Sequence, residues 1–215
     1  GLPEAIDCVV QAARGLEFAH GRGVIHRDIK PANLLLDKSG TVKILDMGLA
    51  RFSESADVGE QAELTGTGTV MGTIDYMSPE QALSTKSADA RSDIYSLGIT
   101  LYYLLTRKPV FEGDSLMARL MAHANEPIPP LKTARPDASD ELQAVFEKMI
   151  AKKPEDRYQT MGDVITALER CVSGDAKAAN VPVTSSPDSN LSQFLQGLDG
   201  QQSGTRAGTK TQPAK

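Results

Sequence analysis

The chain has 215 residues, a formal net charge of −5 and a pI near 5.3, which is enough for one domain of ordinary size plus a tail. The acidic balance argues against a nucleic-acid-binding surface, and no run approaches the roughly 20 apolar residues of a membrane span. Two cysteines, Cys8 and Cys171, make neither a disulfide framework nor a CxxC pair, so a reducing, cytoplasmic setting is expected, which includes the cytosolic part of a larger anchored protein. The opening Gly1-Leu2-Pro3-Glu4 lacks the basic region and apolar core of a signal peptide, and it lacks an initiator Met. It reads as a cut made inside a larger protein.

Leu2 to about His20 is predicted to be a helix. Pro3 suits a first turn, and Ile6, Val9, Val10, Ala13, Leu16 and then Phe18 or Ala19 recur at helical spacing. Gly21 and Gly23 break the pattern, and Val24-Ile25 reads as a short strand. Next comes the stretch around which the chain is organised, His26-Arg27-Asp28-Ile29-Lys30-Pro31-Ala32-Asn33. Asp28 can accept a proton, Lys30 can neutralise a phosphate, and the Asn33 amide oxygen can bind a hard metal ion. A lone Asp more often caps a turn, a lone Lys is more often a solvated surface group, and a lone Asn is more often a turn residue. The three together point to metal, phosphate and hydroxyl chemistry.

Leu34-Leu35-Leu36 and Val42-Lys43-Ile44 flank the turn-rich Asp37-Lys38-Ser39-Gly40, which is a hairpin signal. Such a hairpin holds Asn33 and Asp46 at the same open end, as a shared metal site requires. Asp46 is followed by Met47-Gly48, a flexible hinge. From Leu49 to about Met77 no clear periodicity appears, and the part around Thr65, Thr67, Thr69 and Thr73 is rich in Gly and Thr. A long irregular segment in a compact domain is usually functional or disordered. Ile94 to Leu105 is apolar almost all round, so a buried helix is predicted there. Further helices are predicted at about 115–124, 140–151 and 160–171, with Pro127, Pro129, Pro130, Pro136 and Pro154 at the joins. After Val172 the composition shifts to Ser, Thr, Gly, Gln, Ala and Pro. Residues 173–215 are expected to be a disordered low-complexity tail, unable to bury enough apolar surface to offset ordering entropy. Within it, Leu191–Leu198 could form a short amphipathic turn, a candidate docking peptide. His20 and His123 have no partners legible in the sequence and are expected to be unremarkable.

The motifs resemble a known family. His26 to Asn33 matches His-Arg-Asp-x-Lys-x-x-Asn, the catalytic loop of eukaryotic-type (Hanks-type) protein kinases. Asp46-Met47-Gly48 looks like the family's Asp-Phe-Gly metal motif with Met for Phe, and Ser78-Pro79-Glu80 looks like its Ala-Pro-Glu motif with Ser for Ala. The order and spacing agree, and the likeness covers roughly Leu2 to Val172. Lys30 follows the serine/threonine pattern, and Gly72 to Gln81 is similar to bacterial members especially.

The resemblance implies an α+β, protein-kinase-like fold, with residues 1–172 as a mainly helical C-terminal lobe carrying short β-hairpins. It implies ATP and Mg2+ as cofactors and Ser/Thr-bearing proteins as substrates. Asp28 would orient the substrate hydroxyl and accept its proton, and Lys30 would contact the transferred phosphoryl group. Asn33 and Asp46 would hold the metal, and Leu35 would lie beneath the adenine. Arg27 would meet a phosphate on the activation segment, with Thr65, Thr67 and Thr69 as candidate carriers and Ser53 and Ser55 behind them. The Thr73 hydroxyl would bond Asp28 and Lys30. Structural roles would fall to His26 in a stack with Met47, to Glu80 paired with Arg157, and to Asp93 accepting backbone N–H bonds from the catalytic loop.

Within these 215 residues there is no Gly-x-Gly-x-x-Gly loop, no Val-Ala-x-Lys strand and no helix carrying its Glu partner. The upper lobe is therefore expected in cis, in a full-length protein, and the chain alone is expected to be inactive. Two other readings compete: a non-catalytic lower lobe that binds partners, and a small-molecule kinase of the aminoglycoside type. The intact catalytic loop disfavours the first. Arg27, Lys30, the Thr73 region and Ser78-Pro79-Glu80 disfavour the second.

Overall fold

The computed structural model describes residues 1–46, 73–84 and 88–175. The chain divides into two compact units, Gly1–Ala178 and Ala179–Lys215, and the described residues lie in the first. Met47, Gly48, Ser53, Ser55, Thr65, Thr67, Thr69 and the Leu191–Leu198 segment lie outside the described residues.

Helix α1 (Leu2–His20) starts with Pro in its first turn and buries Ile6, Val9, Val10, Ala12, Ala13, Leu16 and Ala19, the stripe its periodicity predicts. Of the two alternatives at its end, Ala19 faces inward, while Phe18 is exposed. A 3-10 turn (Pro31–Asn33) leads into a two-stranded antiparallel hairpin, β1 (Leu34–Leu36) and β2 (Val42–Ile44), with Leu34 opposite Ile44. Gln11 on α1 clamps this hairpin: its Nε2 donates to Gly40 O at 3.1 Å, and its Oε1 accepts from Val42 N at 2.9 Å.

Two residues depart from expectation here. Val24-Ile25 forms no strand; Val24 N instead bonds Ala19 O at 3.0 Å, closing the end of α1. A β-branched pair favours extension, but a strand needs a partner ladder, and none of the described residues offers one.

Helix α2 (Pro79–Leu83) is short, and α3 (Ala90–Thr106) is the buried centre. Asp89 caps α3 by accepting from Arg91 N at 2.8 Å, and Arg107 closes it in a left-handed conformation, φ 60°. α3 is longer at its start than its apolar run, because Asp89 supplies the cap upstream of Ile94. Gly98 lets α3 approach its neighbour closely: a Cβ there would meet Ile150 Cγ2 at 2.6 Å. The remaining helices are α4 (Leu116–Asn125), α5 (Leu131–Ala134), α6 (Asp140–Met149) and α7 (Met161–Asp175), with a 3-10 turn at Pro154–Asp156. Ser115 and Ser139 cap α4 and α6, each accepting a backbone N–H at 3.1 Å. α7 runs past Val172 to Asp175, so the change of composition precedes the end of the helix.

One core joins α1, α3, α6 and α7, with Ile6, Leu16, Ile94, Leu97, Leu101, Phe146 and Leu168 at or near zero exposure. Burying side chains of this size contributes roughly 1.5–3 kcal/mol each. No helix among the described residues is long and apolar enough to cross a membrane.

Candidate active site

The loop between α1 and the hairpin rests on a buried acid of α3. Asp93 has no exposure and accepts from His26 N at 2.9 Å, Arg27 N at 2.8 Å and His20 Nε2 at 2.8 Å. A buried carboxylate needs such donors, since an unpaired one is costly. Arg27 sits at φ 67°, a conformation that strains a non-glycine residue, and the two bonds to Asp93 hold it there. Gln81, on α2, adds a third restraint by donating Nε2 to Arg27 O at 2.6 Å.

His26 is buried, its Nδ1 accepting from Asp28 N at 3.3 Å. Its Nε2 therefore donates to Leu45 O at 3.0 Å, which ties the loop to the residue before Asp46. The Leu45 N–H bonds Asn33 O at 2.9 Å, extending the hairpin pairing by one step. Asn33 and Asp46 thus flank the same end of the ladder, as the hairpin reading requires. Asp46 is exposed with φ 51°, a left-handed conformation that Asp tolerates better than most residues.

The polar groups converge on Asp28. Its Oδ2 accepts Lys30 Nζ at 3.0 Å and Asn33 Nδ2 at 3.1 Å, and the same Asn33 nitrogen donates to Asp28 O at 2.7 Å. Lys30 Nζ also reaches Thr73 Oγ1 at 2.7 Å, across a gap of 43 residues in sequence. The Asp28 side chain keeps 27% exposure, and the bonds from the Lys30 and Asn33 side chains both fall on Oδ2. Asn33 spends its amide nitrogen on Asp28, leaving the amide oxygen for another ligand. Leu35 is exposed at 49% on the strand next to this cluster, alongside Leu36 at 61%.

Glu80 and Arg157 meet in a two-pronged pair at 2.7 and 2.8 Å, with the Arg157 side chain fully buried. Arg157 also donates to Ala151 O, Arg91 O and Lys152 O, and it lies over the Tyr95 ring. Burial alone would raise the Glu80 pKa. The bonds from Arg157 and from Ser92 Oγ, at 2.7 Å, outweigh it and hold the carboxyl below its ordinary value. The stabilisation this represents is present above the ordinary Glu range and is lost as pH falls through the lowered value. Arg157→Ala is expected to destabilise the fold by about 3–5 kcal/mol, since the largely buried Glu80 carboxylate would lose its cation and keep only the Ser92 bond. Urea unfolding followed by circular dichroism measures it. A loss below about 1 kcal/mol would place the pair with inconsequential surface bridges.

Four participants escaped the sequence reading: His20, Gln81, Ser92 and His123. His20 and His123 had been expected to be unremarkable. His20 instead donates to Asp93, and buried His123 shares a 2.8 Å bond with Tyr95 Oη. The partner residue lies 73 positions away for His20 and 28 for His123, so no local pattern marks them.

This constellation of acid, lysine and asparagine in one loop, strapped to a buried helix, defines a class. Residues 3–168 match the family model described as protein kinase domain, and the chain belongs to that family. Its fold is accordingly the helical part of a kinase with a small two-stranded sheet. Among its relatives is the serine/threonine-protein kinase PknB of Mycolicibacterium smegmatis, 44% identical over 176 residues, which is 81% of this chain and 27% of that protein. PknB of Mycobacterium tuberculosis is 42% identical over 204 residues, covering 94% of this chain and 31% of that protein. A probable serine/threonine-protein kinase of Streptomyces coelicolor is 38% identical over 179 residues, covering 83% and 26%. The chain spans about a quarter to a third of the length of these curated relatives.

Proposed function

We propose that this chain is the C-terminal lobe of a serine/threonine protein kinase and carries the residues that act on the hydroxyl of a protein substrate. The observation that carries the reading is Asp28, a part-exposed carboxyl whose Oδ2 is held by Lys30 and Asn33 together. Asp28 orients the incoming Ser or Thr hydroxyl and takes its proton. Lys30, fixed between Asp28 and Thr73, places a point charge where the transferred group accumulates negative charge. The Thr73 hydroxyl marks the edge against which the acceptor side chain lies.

The donor chemistry fits magnesium. Asn33 offers an amide oxygen and Asp46 an exposed carboxylate, both hard oxygen ligands from adjacent positions of one ladder. These two residues would hold the ion, and Leu35 would underlie the base. ATP with Mg2+ supplies an electrophilic γ-phosphoryl group with its charge partly neutralised. The reading is tested by purifying the polypeptide that carries an N-terminal lobe as well and assaying it with ATP and a Ser/Thr protein. No transfer, or transfer insensitive to Asp46→Ala, would sink it.

We further propose that the N-terminal lobe is supplied in cis. Its expected contact surface is apolar, with Leu35, Leu36 and Leu45 exposed on and beside the hairpin.

Arg27 lies beside the acid, and Thr65, Thr67 and Thr69 follow in the segment between Asp46 and Thr73. A phosphate there adds about −2 charge and three acceptors for an arginine to order. At least one of these threonines is expected to carry phosphate after incubation of the two-lobed enzyme with ATP and magnesium. Peptide mass spectrometry decides it; three unmodified threonines in an active preparation would remove the idea.

A further inference from the structure

We propose that Arg119, on α4, is a positioning residue for the phosphoacceptor: through Asp75 it fixes the turn that brings Thr73 onto Lys30. The proposal rests on the kinase reading above. Thr73 begins a single turn, closed by Tyr76 N to Thr73 O at 3.2 Å and Met77 N to Ile74 O at 3.1 Å. One turn is weak by itself, because it fixes several dihedrals for each hydrogen bond gained. Side chains must hold it in place.

Ile74 is buried, and the Tyr76 ring meets Tyr103 edge-on at 6.3 Å. The directional restraint is the ion pair. Arg119 Nη1 lies 2.9 Å from Asp75 Oδ1 and 3.2 Å from Oδ2. The two side chains keep only 25% and 22% exposure, so solvent and salt screen the pair less than a surface bridge. Arg119 is itself aimed, its Nε donating to Gly113 O at 3.1 Å. Gly113 allows this approach: a Cβ there would meet Arg119 N at 2.9 Å and Ala118 Cβ at 3.0 Å.

One turn further along α4, buried His123 is anchored to α3 through Tyr95 and lies near the Asp75 backbone. Burial, then the nearby Lys152, push the His123 pKa down to about 4, so the ring is neutral and Arg119 is the cation that answers Asp75.

The surroundings sharpen the dependence. Asp75 and Arg119 line a cavity of about 390 Å³ together with Glu112 and Asp114, and no other cation is among the described residues that line it. Without Arg119, Asp75 would face two further carboxylates. Repulsion would then drive it outward and carry Thr73 off Lys30, while Asp28, Asn33 and Asp46 would keep their own supports.

Two measurements test this. In the 215-residue chain, hydrogen exchange at the amides of Tyr76 and Met77 is compared among the parent, Arg119→Ala and Arg119→Lys. The alanine variant should exchange at least about tenfold faster at these two amides, with α3 unchanged, and the lysine variant less so. In the two-lobed polypeptide, transfer to a protein substrate and transfer to water are followed on the same preparation. Arg119→Ala should lower kcat for the protein by about tenfold to a hundredfold. Turnover onto water and KM for ATP should stay within about twofold. The charge-exchanged pair, Asp75→Arg with Arg119→Asp, should recover much of the loss, and Arg119→Lys should lie between.

Equal loss toward protein and water would overturn the proposal, because it would mark a general folding defect. So would unchanged exchange at Tyr76 and Met77, or unchanged kcat for the protein. A parent enzyme that transfers nothing to protein would overturn the kinase reading and the phosphoacceptor role with it. The exchange result would still say separately whether Arg119 holds the turn.

Discussion

Asp28→Asn, made in the polypeptide that carries both lobes, is expected to lower phosphoryl transfer by about 10²–10⁴-fold, the usual range for a lost proton acceptor. ATP affinity should hardly change, because the acid is proposed to act on the hydroxyl. The hydrogen bonds explain why the near-isosteric amide fails. Oδ2 of Asp28 faces two donors, Lys30 Nζ and Asn33 Nδ2. An amide at this position must turn its oxygen toward them, since its nitrogen would be a third donor among donors. Its NH2 then takes the place of Oδ1, the atom proposed to receive the hydroxyl proton, and an NH2 cannot take a proton. Nucleotide titration and a kinase assay on one preparation separate the two effects. Activity within a few-fold of the parent would remove Asp28 from its role.

The 215-residue chain by itself is expected to give no measurable transfer to protein. ATP in this family is gripped from both sides, and the glycine-rich loop and strand lysine that cover its phosphates are not among these residues. Good positioning is worth about 7–11 kcal/mol of barrier in favourable cases. On the proposed reading the chain contributes only one side of it: Asp28, Lys30, Asn33 and Asp46. In this chain Leu35, Leu36 and Leu45 are exposed at 49%, 61% and 39%, so self-association at micromolar concentration is expected as well. An assay with ATP, magnesium and a generic basic protein, using Asp46→Ala as control, measures the first point, and light scattering the second. Turnover that depends on Asp46 with no added partner would show that one lobe suffices.

Much of the architecture was legible because it is local. The α1 stripe, the turn between β1 and β2 and the apolar run of α3 are set by residues within a turn or two of one another, the range over which spacing and propensity act. The meeting of Asp28, Lys30 and Asn33 was legible for the same reason: they are neighbours in sequence, so it needs only a loop and a 3-10 turn. Val24-Ile25 marks the limit, since a strand belongs to a pair of segments and no propensity supplies the second one.

What the tertiary structure alone decided is how that loop is held and what meets it from afar. Glu80 with Arg157 and Asp93 with the loop backbone were suggested by resemblance, not by spacing; their partners lie 77, 67 and 66 residues apart. Nothing in the chain announced His20 on Asp93, Gln81 on the Arg27 carbonyl, or Arg119 on Asp75. Each of these contacts joins polar groups on separate elements, and hydrophobic periodicity carries no information about which polar groups will face one another. That choice is made when α1, α3 and α4 pack: buried donors and acceptors must then find partners or cost free energy, and only the packed arrangement determines which partners are within reach.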